Sequence, residues 1–295
     1  MKKLIKKPLN IILSILPLSF ANYVYTKIIG KTPLIHFVNK IIKLTIPKEL
    51  NIEEGKIILN QDDVAVSGML ALGAFEPYQM ALFRKTIKPG MTIVDIGANI
   101  GLYSVIAGKL TGKNGRVFSF EPEKKNFEYL NKNVNANNLK NVQVDTTAIS
   151  NEKATRNLFL FSDNTGSYSL VDNRKTNISV QVQTDTLDNI LKLKAIDHVD
   201  FIKMDIEGAE YLAFEGMTDV INKSKNLTMM IEFFPNAIRR FNKEPLQFLN
   251  KIKSLGFKIS EISEDNKTTI EITDLDKFLR DFPKGEVATN LLLEK

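Results

Sequence analysis

Between Met91 and Pro122 the chain reads MTIVDIGANIGLYSVIAGKLTGKNGRVFSFEP, and this order of residues constrains the fold more than any other stretch. Thr92 to Ile96 is a β-branched, apolar run that carries Asp95 near its end. Gly97 and Gly101 then bracket Ala98-Asn99-Ile100, and Leu102 to Leu110 reads as a helix. Gly112 and Gly115 stop that helix, and Arg116 to Phe120 is a second apolar strand leading to Glu121. Strand, glycine turn, helix, strand and acidic residue make the nucleotide-binding half of a doubly wound sheet. The glycines permit a tight turn and a close backbone approach by a ligand. The helix start behind them offers unpaired N–H groups. Glu121 stands where such folds place a carboxylate on the two ribose hydroxyls.

Asp95 bears on which nucleotide is held. A pyrophosphate on this loop would meet its carboxylate at close range, and like charges repel strongly in a partly buried site. S-adenosylmethionine has an adenosine for Glu121, an ammonium group for Asp95 and no phosphate. The loop, D-x-G-A-N-x-G, also departs from the dinucleotide pattern G-x-G-x-x-G. S-adenosyl-L-methionine is therefore the expected cofactor, with Asp95, Gly97, Ala98, Asn99, Gly101 and Glu121 as its binding residues. A nicotinamide-dependent Rossmann oxidoreductase is the alternative enzyme reading. A non-catalytic membrane- or glycan-binding module is the alternative outside enzymology.

The 295 residues suffice for one large α/β domain with an appendage. No cysteine is present, so disulfides, thiolate metal sites and cysteine nucleophiles are excluded. With only two histidines, His36 and His198, a histidine-rich metal centre is excluded as well. Charge is unevenly placed. Nine lysines against Glu49 give residues 1–50 a net +8, which leaves −2 for residues 51–295 of the +6 total. A basic face for nucleic acid would have to come from the first fifty residues, so a nucleic-acid substrate is not expected.

Residues 1–50 form the expected basic, apolar N-terminal segment, and residues 51–295 the catalytic domain. Lys2, Lys3, Lys6 and Lys7 precede an apolar run from Leu9 to Ala21, interrupted by Pro17, which resembles a secretory signal. The run is shorter than the roughly twenty residues a transmembrane helix needs. A methyl donor made in the cytosol argues instead for a cytoplasmic protein. Residues 1–45 then read as helical pieces that dock on the domain or lie peripherally on an anionic membrane face.

Further on, Lys56 to Asn60 and Asp63 to Ser67 are short strand candidates, and Glu76 to Ile87 an amphipathic helix. Leu158 to Phe161 and Ile178 to Gln183 read as a hairpin inserted into the α/β pattern, with polar Asp163 to Asn177 between them. Such insertions at the carboxyl edge of a sheet commonly shape a substrate pocket. Phe201 to Glu210 (FIKMDIEGAE) packs Lys203, Asp205, Glu207 and Glu210 into eight residues at the end of a fourth core strand. Glu232 tops the fifth strand, Asn226 to Phe234, which Pro235 closes. Helix-dipole stabilisation accounts for acids at a helix start, so Glu207 and Glu210 have a structural explanation. It does not account for Lys203.

VDIGANIG followed by FSFEP and then IKMDIEGAE resembles the FkbM-type S-adenosylmethionine-dependent methyltransferases. Phe75-Glu76-Pro77, Lys88-Pro89-Gly90, Ala148-Ile149-Ser150 and Thr186-Leu187-Asp188 agree with that resemblance. It implies an α/β, Rossmann-like doubly wound, mainly parallel seven-stranded sheet of class I methyltransferase architecture, here with an N-terminal helical appendage. It implies O-methylation of a hydroxyl on a sugar, glycan or natural product. It also places Asp205, Glu207 and Glu210 at the acidic edge of the active site. Because a sugar hydroxyl needs its proton accepted, the expected catalytic group is Asp205 as base, with Lys203 or Glu210 orienting the hydroxyl, Glu207 beside them and no metal.

Overall fold

The computed structural model describes residues 35–160, 168–170, 178–285 and 287–295. The first 34 residues of the basic segment, and most of Asp163 to Asn177, lie outside the described residues. The segment's remainder forms helix α1 (Ile35–Thr45), whose Ile42, with Ile46 just beyond it, is buried among Val64, Val66 and Ile93. No helix among the described residues is long and apolar enough to cross a membrane.

Strands β1 (Glu49–Ile52) and β2 (Gly55–Ile58) pair as an antiparallel ribbon. Asp63 to Ser67 is not the strand its alternation suggested: Val64–Gly68 is a π-helical turn. The buried Asp63 carboxylate accepts the amides of Ala65, Val66 and Ser67, and that cap decides the local structure. Five alternating residues are too few to decide between the two conformations.

Helix α2 (Pro77–Thr86) leads to β3 (Thr92–Ile96), α3 (Leu102–Thr111), β4 (Arg116–Phe120), α4 (Lys124–Ala136) and β5 (Val142–Asp145). The insertion follows as β6 (Ala148–Ile149), β7 (Ala154–Leu160), β8 (Tyr168–Ser169) and β9 (Ser179–Asp185), a separate sheet in the order β6-β9-β7-β8. Then come α5 (Leu187–Leu193), β10 (Phe201–Met204), α6 (Glu210–Glu215), α7 (Thr218–Lys223) and β11 (Thr228–Phe233). Pro235 does more than close β11. It is the first residue of helix α8 (Pro235–Arg240), where its missing N–H is not needed. Helix α9 (Pro245–Ser254), β12 (Lys258–Ser263), β13 (Thr268–Glu271), α10 (Leu275–Asp281) and β14 (Thr289–Glu294) complete the chain.

The main sheet has the order β5-β4-β3-β10-β11-β14-β12-β13. Its first four pairings are parallel and the last three antiparallel. The doubly wound α/β architecture is as expected; the eighth strand, β13, is a hairpin partner of β12. All five residues of β3 are buried, as a central strand covered on both faces requires. Val94, Phe118, Ile202 and Met229 belong to one apolar layer, and Ile93, Val117, Phe201 and Met230 to the other. From β3 the chain winds outward to β4 and β5, and from β10 in the opposite direction to β11. The carboxyl ends of β3 and β10 thus flank the switch point, the crevice where such sheets bind ligands.

Candidate active site

A cavity of about 270 Å³ opens at this switch point. The glycine loop after β3, the residues after β10, and the insertion's Leu158, Tyr168 and Leu170 all line it. The amides of Gly97 and Ala98 donate to the Phe120 carbonyl, which curls the loop over β4. Gly97 and Gly101 have φ of +80° and +88°, conformations that L side chains rarely adopt. Both glycines also permit a close approach by protein. A Cβ on Gly97 would collide with the Asp205 carbonyl oxygen, and one on Gly101 would lie 2.7 Å from Leu130 Cδ1.

Glu121 stands at the edge of β4 with both oxygens engaged. Its Oε2 accepts the Asn99 amide at 2.8 Å, and its Oε1 accepts the Glu123 amide at 2.9 Å. Burial pushes its carboxyl up to about 8 even though both amides oppose the shift. Asn99, at φ +50°, aims that amide at Glu121. The glycine loop and the carboxylate after β4 are therefore one hydrogen-bonded unit.

Asp95 is only 2% exposed, and its Oδ2 accepts the Ser104 hydroxyl at 2.6 Å. Burial raises it to about 6, against the Ser104 hydrogen bond and the charge of Lys203. It touches the cavity wall, yet one oxygen ties β3 to α3. Asp95 is thus a buried part of the cavity wall.

Lys203 and Asp205 emerge from β10 two residues apart, hence on one face. Lys203 Nζ lies 3.1 Å from Asp205 Oδ2 and 5.2 Å above the Tyr103 ring. Burial alone would lower the Lys203 ammonium, but Asp205, Glu76 and Asp95 more than offset it and hold it above its usual range. The Lys203 side chain is 2% exposed and that of Asp205 32%, so Asp205 is the partner a ligand can reach.

Glu207 lines the cavity from a left-handed position, φ +55°, and its carbonyl accepts the Ser169 hydroxyl. Glu210 does not line the cavity. Its Oε1 accepts the Ile206 amide at 2.8 Å, its other oxygen is buried without a hydrogen bond, and burial pushes it up to about 8. In this geometry it braces the turn that carries Asp205. Glu232 does reach the cavity; one of its oxygens is buried without a partner, and burial raises its carboxyl well above the ordinary range, with Glu207 and Asp205 adding to the shift. Among the described residues no group of three His, Asp or Glu side chains is placed to hold a metal ion.

One residue escaped the sequence-level site. Glu76 lines the cavity and accepts hydrogen bonds from Tyr103 at 2.7 Å and Gln79 at 2.8 Å. Burial raises it, against Lys203. It sits at φ +40° immediately before Pro77, in a residue position that proline steers away from the right-handed helix. The same tripeptide, Phe-Glu-Pro, delivers Glu76 and Glu121 to the one cavity.

The fit to S-adenosylmethionine can be judged from the donor set. Glu121 is held by two amides beside the loop, apolar Phe120, Ile149 and Leu158 line the same cavity, and its other carboxylates share it with a single ammonium, that of Lys203. These groups suit an adenosine at one end and a cationic amino-acid tail at the other.

A doubly wound sheet with its cavity at the switch point defines an α/β protein of the kind that binds a ligand at the carboxyl ends of its strands. Residues 95–259 match the profile of the Methyltransferase FkbM domain, and the chain belongs to that family, whose methyl donor is S-adenosylmethionine. Residues 27–148 also match the profile of protein-L-isoaspartate(D-aspartate) O-methyltransferases. Among curated proteins, the ribosomal RNA large subunit methyltransferase E of Acinetobacter baumannii is 46% identical over 52 residues, 18% of this chain and 24% of that protein. Methyltransferase 1 of Beauveria bassiana is 26% identical over 146 residues, 43% of this chain and 58% of that one. The chain thus spans about a quarter of the length of the first of these relatives. A SAM-dependent O-methyltransferase from Thermotoga maritima aligns over 85% of this chain and 86% of its own, at 12% identity and a TM-score of 0.41.

Proposed function

We propose that this methyltransferase acts on a hydroxyl oxygen, with a sugar, glycan or natural product as acceptor and Asp205 as general base. The observation that carries the reading is the Lys203–Asp205 pair, a buried ammonium 3.1 Å from a carboxylate that remains open to the cavity. A hydroxyl is a poor nucleophile at neutral pH unless its proton is accepted as the new bond forms. Lys203 fixes one oxygen of Asp205, which leaves the other to receive that proton.

When bound, S-adenosylmethionine supplies an electrophilic methyl on a cationic sulfur. Glu121 and the Ala98–Asn99 backbone hold the adenosine end in this reading, and Glu76 and Asp95 attract the ammonium of the tail. Leu158, Tyr168 and Leu170 cover the cavity from the insertion and limit water there, which favours loss of the sulfonium charge. Positioning two reactants in line contributes several kcal/mol of the rate. A nucleic-acid acceptor is disfavoured by the −2 net charge of residues 51–295.

The test is transfer of a labelled methyl group to a panel of free sugars, sugar nucleotides and phenolic natural products. Label should appear as a base-stable ether. Label found only on carboxylates or amines would overturn the hydroxyl assignment, and label found only on RNA would overturn the choice of acceptor.

A further inference from the structure

A second cavity, of about 310 Å³, lies between the start of α8 and the segment that follows α10. Arg239, Arg280 and Lys284 line it together with Asn236, and among the described residues no carboxylate does. All three cations are exposed, and none is paired with a carboxylate among the described residues. The walls are fixed. Asn236 Nδ2 donates to the Gly285 carbonyl at 2.6 Å, and Asn236 Oδ1 accepts from Arg239 at 3.0 Å. Phe282 anchors the outer wall by packing edge-on against Phe233 of β11, their centroids 6.0 Å apart. The Arg239 guanidinium is thereby oriented while most of its donors stay available.

This cavity sits at the same sheet edge as the acidic one. Glu232, in the wall of the first, is three residues from Pro235, in the wall of the second, a Cα separation of at most about 11 Å. The charge contrast between the two is sharp. The first has Glu76, Asp95, Glu121, Asp205, Glu207 and Glu232 around one lysine, so an acceptor's negative charge is unwelcome at its reacting end. The second collects three cations with planar and point-charge donors, the set that recognises phosphate oxygens.

We propose that the groove of Arg239, Arg280 and Lys284 is a phosphate-binding subsite for the acceptor. The acceptor would carry a phosphate or diphosphate a short distance from a neutral hydroxyl, the first group resting on the groove and the second entering beside Asp205. The part concerning the acceptor rests on the hydroxyl-transfer reading; the groove's affinity for phosphate does not. RNA fits less well, because phosphodiester tracking uses on the order of 6–10 phosphate contacts and this groove offers three cations.

The experiment titrates inorganic pyrophosphate into the full chain by calorimetry at low salt, beside the double variant R280E/K284E. Both positions are exposed and distant from the cofactor loop in sequence, so the variant should melt as the wild type does. Wild type should bind with Kd of about 0.1–1 mM, weakening as salt rises, and the variant at least about fivefold more weakly. S-adenosylhomocysteine should bind both proteins equally, which separates failure of the groove from failure of the methyl-donor site. Two further arms identify the source of the phosphate. Competition by a soluble sugar diphosphate would point to a free acceptor. Retention on phosphatidylcholine vesicles doped with a polyprenyl diphosphate, lost in the variant, would point to a lipid-linked one. Equal pyrophosphate affinity in both proteins, no binding at all, or binding of single-stranded RNA alone would overturn the proposal.

Discussion

Gly97 and Asp205 lie backbone against backbone. The Asp205 amide donates to the Ile96 carbonyl at 3.0 Å, and the Asp205 carbonyl occupies the space a Cβ on Gly97 would need. The glycine loop and the turn after β10 are thus a single packed unit, although more than a hundred residues separate them in sequence.

Gly97→Ala should therefore damage both functions together. The positive φ alone costs about 1–2 kcal/mol, and the collision with Asp205 adds to it. A fall in melting temperature, together with loss of S-adenosylhomocysteine binding by calorimetry, is the expected result. An unchanged affinity would show that the loop tolerates displacement of Asp205.

Asp205→Asn keeps the shape of the side chain and removes the proton acceptor. Turnover should fall by at least about a hundredfold, with donor affinity within about threefold of wild type. Single-turnover kinetics alongside calorimetry distinguish this outcome from a binding defect. Unchanged turnover would remove Asp205 from the role of base.

Glu210 gives a complementary test, because its geometry is that of a brace. Glu210→Gln retains an oxygen for the Ile206 amide and should leave turnover within about threefold of wild type. Glu210→Ala orphans that buried amide and should lower stability by about 1–3 kcal/mol in urea unfolding. A large loss of turnover in the glutamine variant would restore Glu210 to the chemistry.

The raised carboxyls at Glu121 and Glu210 make the unliganded protein pH-sensitive. In the unfolded chain these groups release their protons near 4.5, whereas in the fold burial holds them until about 8. Across that window the folded state carries more protons, so these groups lower stability progressively as pH rises from about 4.5 to 8. Ionised Glu121 is the better acceptor for ribose hydroxyls. Affinity for S-adenosylhomocysteine should accordingly rise between about pH 6 and 8, with protons released to the buffer. Calorimetry in two buffers of different ionisation enthalpy measures that release, and proton uptake would contradict it.

The glycine loop was legible in the sequence because its backbone leaves little choice. Gly97 and Gly101 need positive φ and stand directly after a β-branched strand. The cluster of Lys203 and Asp205 was legible because a buried lysine near a strand end has no local explanation. Glu76 was not, because its arrival depends on distant packing. Glu264, almost two hundred residues away, accepts the amides of Tyr78 and Gln79 and so sets the start of α2 over the cavity. The direction of Glu210 was equally hidden. An acid in the first turn of a helix can face a ligand or cap its own backbone, and only the position of the Ile206 amide decides. Asp63 shows the same limit at a smaller scale, since one buried cap overrode an alternating pattern.

The seating of Ile42 and Ile46 has a mechanical corollary. Both are buried in the apolar layer that also contains Ile93 and Val105, the layer under the cofactor loop. Tension applied at Ile42 and Ile46 would therefore be borne first by that layer. A tether at this end of the protein would pull first on the face of the sheet that carries Ile93 and Val117.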